Sequence, residues 1–75
     1  KAKLHVLIIP KKSYIDVLDF LENADADYQS NFWISVNKII SQLDLKNKGF
    51  QIKTHKGKDG GQEVFHFHLH LLSDS

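Results

Sequence analysis

His66, His68 and His70 occupy every second position of the run Glu63-Val64-Phe65-His66-Phe67-His68-Leu69-His70-Leu71-Leu72. On an extended strand that spacing sends the three imidazoles to one face and Phe65, Phe67, Leu69 and Leu71 to the other. Imidazole titrates near neutral pH and serves as base, nucleophile and metal ligand, so such a row is a candidate for chemistry. Two chemistries fit. Neighbouring rings, about 7 Å apart along the strand, can converge on a zinc ion. Without a metal, an imidazole oriented through its second nitrogen can attack phosphorus while its neighbours neutralise charged oxygens and move a proton. Zinc-bound histidines are normally oriented by carboxylates, and only Asp59, Glu63 and Asp74 are near the row in sequence. Gly60-Gly61-Gln62 precedes it. Glycines let backbone N–H groups approach an anion and a glutamine amide can donate to the same oxygens, which favours the phosphorus reading.

The elements that would hold this row follow from periodicity. Leu4-His5-Val6-Leu7-Ile8-Ile9 is an apolar strand ended by Pro10, and it carries one further histidine, His5. Ser13 and Asp16 have capping-box spacing, and Tyr14, Val17, Leu18 and Leu21 form an apolar face, predicting a helix over residues 14–21. Asp25 and Asp27 open a longer helix over residues 26–45. Its stripe is Tyr28, Phe32, Trp33, Val36, Ile39, Ile40 and Leu43, destined for core or a subunit contact. Lys46 and Lys48 suit its C-terminal end, with Gly49 as terminator. Residues 50–55 alternate as a strand, and Lys56-Gly57-Lys58-Asp59-Gly60-Gly61 reads as the loop of a hairpin with a final strand over residues 63–72. That hairpin brings His55 toward His66. The fold class is α+β: an antiparallel sheet with two helices.

Composition narrows the partners. A chain of 75 residues makes one small domain that buries only ~60% of its unfolded surface, so a metal or a partner chain is the expected source of extra stability. There is no cysteine, which excludes disulfides and thiolate zinc sites. The net charge of +1 supplies no field for bulk nucleic-acid binding. No apolar run approaches the ~20 residues of a membrane span, so neither nucleic acid nor membrane is an expected partner and the default location is cytoplasmic.

The sequence resembles a known family on these same residues. Gln62-x-Val64-x-His66-x-His68-x-His70-Leu71-Leu72 is similar to the signature of the histidine-triad, or HIT, family. His5-Val6-Leu7-Ile8-Ile9-Pro10-Lys11-Lys12 is similar to that family's His-hydrophobic-Pro-Lys strand, and Asn47-Lys48-Gly49-Phe50 and Asp59-Gly60-Gly61-Gln62 to its closing segments. The resemblance spans residues 1–75 as a single HIT domain and is greatest to the nucleoside phosphoramidate hydrolase branch, the protein kinase C inhibitor-like one. It implies a nucleotidyl hydrolase or transferase that cleaves purine nucleoside phosphoramidates, or related P–O substrates, and releases a nucleoside monophosphate. His68 would attack the α-phosphorus to form a nucleotidyl-histidine. The His66 carbonyl would orient His68, His70 would contact phosphate oxygens, and His5 would support charge or proton traffic. Gly61, Gln62 and Glu63 would line the phosphate and leaving group, Glu63 turned away or protonated because an ionised carboxylate repels phosphate. The implied chemistry requires no cofactor, and the implied assembly is a homodimer through the longer helix and an adjoining strand.

Two departures stand out. His55 replaces an asparagine that in the family touches the nucleotide, and the family's N-terminal helix and strands, which supply the base pocket and a ribose-binding acid, are not in this sequence. The chain is therefore expected to be a fragment holding the phosphate half of the site. The alternative is a non-catalytic module that binds zinc through His66, His68 and His70, or senses AMP without turning it over.

Overall fold

A computed structural model describes residues 3–74. Its elements are β1 (Leu4–Ile8), α1 (Val17–Asn23), α2 (Ala26–Gln42), β2 (Gln51–Lys53) and β3 (Leu69–Ser73). The fold is α+β, as the sequence predicts. β3 is central, with β1 and β2 antiparallel on either side of it, in the order β1-β3-β2. Among the described residues no helix is long and apolar enough to cross a membrane.

Alternation sorts the sheet into two faces. Leu69, Leu71 and Ser73 of β3 are buried, and Leu4, Val6 and Ile8 of β1 share that face. The helices cover it. Phe20 of α1 stacks on Phe67 with ring centroids 4.7 Å apart, and Phe32 of α2 approaches both rings, at 5.2 Å from Phe20 and 5.7 Å from Phe67. Val36 and Ile40 follow Phe32 at helical spacing and complete the core with Leu45 and Tyr14. Trp33, expected in this stripe, is 42% exposed, because the buried line runs straight down 32, 36 and 40 and Trp33 sits a step round the helix.

The element ends differ from the sequence reading, for local reasons. α1 begins at Val17 rather than residue 14, and its cap is Asp16, not Ser13. Asp16 Oδ1 accepts from Asp19 N–H at 2.8 Å, and Asp19 Oδ2 accepts from Ile15 N–H at 2.8 Å. The capping spacing occurs twice in succession, and the aspartate pair satisfies more backbone donors than Ser13 would. Asp25 caps α2 as predicted, accepting from Tyr28 N–H at 2.8 Å. α2 stops at Gln42, not 45, and Gly49 is not its terminator. Asp44 takes φ 57°, while Leu45 N–H donates to Ile40 O and Asp44 N–H to Ser41 O, which is a Schellman ending with the buried Leu45 as its hydrophobic anchor.

The strands are shorter than expected. β1 ends at Ile8, one residue short of Ile9, and β2 covers only Gln51–Lys53 rather than 50–55. The largest difference is at residues 63–68, which are not in the ladder. The pairing of β1 with β3 stops at Ile8 with Leu69, ahead of Pro10, so the preceding residues have no strand partner. Val64 and Phe65 turn outward, and Phe65 is 66% exposed instead of facing the core. Alternation nevertheless persists from His66 onward. Isolated bonds substitute for the ladder: Phe67 N–H donates to Tyr14 O at 2.6 Å, and Thr54 Oγ1 to His68 O at 2.8 Å.

Candidate functional site

The face of the sheet opposite the helices gathers the histidines. His70 of β3 lies between Leu7 of β1 and Lys53 of β2 in register, with His5 a diagonal neighbour. His5 Nε2 and His70 Nδ1 are 2.8 Å apart, so one nitrogen donates a proton to the other. Around His70 stand three rings: His68 at 4.9 Å, His5 at 5.0 Å and His55 at 5.3 Å between centroids. His55 therefore meets His70 and not His66, because the Thr54 bond to the His68 carbonyl draws that segment alongside the middle of the row.

His68 has a fixed tautomer. Its Nδ1 is 2.7 Å from the His66 carbonyl oxygen, which can only accept, so Nδ1 carries the proton and Nε2 presents a lone pair. His55 is prepared in the same way: its Nδ1 lies 2.8 Å from the Gly60 carbonyl. His66 contributes its backbone, while its ring turns inward and leaves a buried Nε2 with no hydrogen-bond partner. Among the described residues no three His, Asp or Glu side chains are disposed to hold a metal ion. In the alternative reading His66, His68 and His70 would hold zinc together, whereas here the Nδ1 of His68 is engaged by the His66 carbonyl.

The electrostatics are one-signed. The pKa of His70 is lowered from its ordinary 6.5, first by partial burial and then by the neighbouring charges of His68, His5, His55 and Lys53. Every charge acting on it is positive, so the cluster favours a bound anion over a further proton.

The loop before the row is held by one side chain. Gln62, only 8% exposed, accepts from Gly57 N–H at 2.8 Å and donates both amide hydrogens, to Ile15 O at 2.7 Å and Val64 O at 3.0 Å. The amide expected to donate to a substrate has no hydrogen left for it. Gln62 instead ties the loop to the start of α1, helped by Lys56 reaching Asp16 at 3.9 Å. Nothing in the sequence separated these two uses of a glutamine. Gly60 is obligatory, because a Cβ there would collide with the Lys56 carbonyl. Gly61, at φ 78°, completes the turn, and Gly61 and Glu63 are exposed at its end. Lys53 is the site neighbour that sequence reasoning missed. Its place on the alternating segment, two residues before His55, was the available signal.

Comparison with known proteins identifies the family. A family model for the HIT domain matches residues 1–75. An uncharacterized HIT-like protein of Rickettsia prowazekii is 37% identical over 71 residues, which cover 95% of this chain and 59% of that protein. Among solved structures, a histidine triad protein from Clostridium difficile is 35% identical with a TM-score of 0.83, the match covering 99% of this chain and 64% of that one. A HIT family hydrolase from Clostridium thermocellum is 36% identical with a TM-score of 0.81, over 96% of this chain and 62% of its own. This chain thus spans about three fifths of the length of these relatives. By sequence and fold, the chain belongs to the HIT family.

Proposed function

We propose that the chain is the phosphate-handling part of a nucleotidyl hydrolase or transferase that cleaves purine nucleoside phosphoramidates, and related P–O substrates, through a nucleotidyl-histidine intermediate. The observation that carries this reading is the His68 Nδ1–H bond to the His66 carbonyl, which in the neutral ring selects the tautomer whose Nε2 lone pair is the nucleophile. His68 Nε2 attacks the α-phosphorus, the bond to the leaving group breaks, and water later cleaves the P–N bond to His68 and releases the nucleoside monophosphate. His70 and His5, which share a proton across 2.8 Å, contact the phosphate oxygens and move that proton. Gly61 and Glu63 border the leaving group, while Gln62 holds the loop in place.

The rest of the nucleotide site is assigned to a segment preceding residue 1. Two features support this. β1 is an edge strand, and an open groove of about 440 Å³ lies beside it, lined by Leu7, Ile9, Tyr28, Phe32 and Ile39 among others. A homodimer acting in the cytoplasm completes the reading. Ile34 on α2 and Phe50 and Ile52 at β2 are all 40% or more exposed, the expected state of an apolar surface that meets a second copy.

The experiment is to follow AMP release from adenosine 5′-phosphoramidate by phosphorus NMR, with and without chelator. Turnover insensitive to chelator and abolished in His68→Ala is expected. Undiminished turnover in His68→Ala would remove the nucleophile assignment.

A further inference from the structure

Two of the imidazoles around His70 make the same kind of Nδ1 bond. His68 Nδ1 bonds to the His66 carbonyl at 2.7 Å, and His55 Nδ1 to the Gly60 carbonyl at 2.8 Å. Each acceptor is a backbone oxygen, so each ring carries its proton on Nδ1 and keeps the Nε2 lone pair available. The two rings flank His70 at 4.9 Å and 5.3 Å, both edge-on to it. The setting of His55 is also fixed. The turn that supplies its carbonyl admits no side chain at Gly60, and Thr54 Oγ1, one residue away, is bonded to the His68 carbonyl. An imidazole held only to fill space or to donate to a phosphate has no need of this tautomer, since a neutral ring with Nδ1–H offers an acceptor, not a donor, at Nε2.

We infer that His55 is a second catalytic imidazole, the general base for the hydrolytic half of the reaction. The inference rests on the nucleotidyl-His68 intermediate proposed above. In this step a water oxygen forms a bond to phosphorus and gives its proton to His55 Nε2. The P–Nε2 bond of His68 breaks, its electron pair returns to that nitrogen, and the nucleoside monophosphate leaves. His55, now imidazolium, loses its proton to solvent. Attack on phosphorus by His68 does not require His55, so the two half-reactions are served by separate rings. The titratable and charged groups acting on His70, which His55 meets edge-on, are His68, His5, His55 itself and Lys53, while the turn that holds His55 carries Lys56, Lys58 and Asp59 and is followed by Glu63. None of these groups acting on His70 is a carboxylate, and of the imidazoles among them His55 shares with His68 the Nδ1 bond to a backbone carbonyl.

The test is rapid mixing of the full-length protein with adenosine 5′-phosphoramidate, acid quench, and intact-mass measurement of the nucleotidylated protein alongside AMP release. His55→Gln retains an amide N–H for the Gly60 carbonyl but has no basic nitrogen. It is expected to form the adduct at the rate of the unsubstituted chain and to hydrolyse it about a hundredfold more slowly, so that adduct accumulates. In His55→Gly, added imidazole is expected to restore hydrolysis, which a folding defect would not permit. Adduct breakdown in His55→Gln at the unsubstituted rate would overturn the assignment, as would loss of adduct formation in that variant alone. If the unsubstituted full-length protein forms no adduct, the nucleotidyl-histidine reading itself falls, and the role of His55 with it.

Discussion

Gln62 offers the sharpest test of how the site is held together. Its amide makes three hydrogen bonds to backbone, at 2.7, 2.8 and 3.0 Å, from a position only 8% exposed. A net contribution of about 1 kcal/mol per bond gives about 3 kcal/mol in all. Ile15 and Val64 are exposed residues, so their carbonyls recover water when the amide is removed, whereas the half-buried Gly57 N–H recovers less. Gln62→Leu is therefore expected to cost about 2 kcal/mol, which for a domain this small lowers the melting temperature by roughly 8–16 °C.

Gln62→Glu distinguishes the hydrogen bonds from simple packing. The shape is kept, but an oxygen replaces the nitrogen opposite two carbonyls, and only the protonated acid can donate to one of them. The folded-state pKa of the new carboxyl is thus raised above its unfolded value of about 4.3. Relative to the glutamine protein, this variant is nearest in stability below that unfolded value and loses ground as pH rises through the folded pKa. Gln62→Leu shows no such dependence on pH. Urea unfolding followed by tryptophan fluorescence between pH 4 and 8, roughly the span of that titration, measures both. A Leu variant within about 0.5 kcal/mol of the parent, or a Glu variant whose deficit does not change with pH, would refute the three-bond tie.

Three further outcomes are expected. Phe20→Ala removes a fully buried ring that contacts Tyr14, Phe32 and Phe67 and should cost about 3–5 kcal/mol, enough to unfold most of the population at 25 °C by circular dichroism. Asp44→Gly should stabilise by about 0.5–1 kcal/mol in urea titration, because it relieves a left-handed aspartate beside the negative end of α2 and gives up only an exposed 3.9 Å contact with Lys48. The lowered pKa of His70 makes its neutral form the one the fold prefers, so its stability contribution is complete above the ordinary value of 6.5 and is lost as pH falls below it. The urea midpoint should decline on the acid side of that value, and the decline should weaken in His70→Asn.

What the sequence disclosed follows the range of the forces involved. The alternation of His66 to Leu71 and the 32, 36, 40 line of α2 report which face is buried, and both are present in the structure. The pairing of His5 with His70 was approachable because both lie on alternating strands. Events decided by one distant partner were not visible. Residues 63–68 have strand composition, yet Gln62 binds Ile15, a residue 47 positions away, and the run bends instead. The choice of Asp16 over Ser13, and of Asp44 over Gly49, turned on which of two similar local solutions also let Phe20 and Leu45 reach the core.

The strand order β1-β3-β2 has a consequence for how the chain is made. Among the described residues the central strand is the last of the three, and each flanking strand pairs with it. Among the described residues Leu4–Ile8 and Gln51–Lys53 pair with Leu69–Ser73, and neither of these two ladders can close until Leu69–Ser73 has been added. The pairing of Leu4 with Ser73 also encloses residues 4–73 in one loop, a connectivity that slows folding because the loop entropy is lost before the contact forms. The helices can assemble early, but the sheet arrives all at once, and the segment that completes it is the one that carries His70.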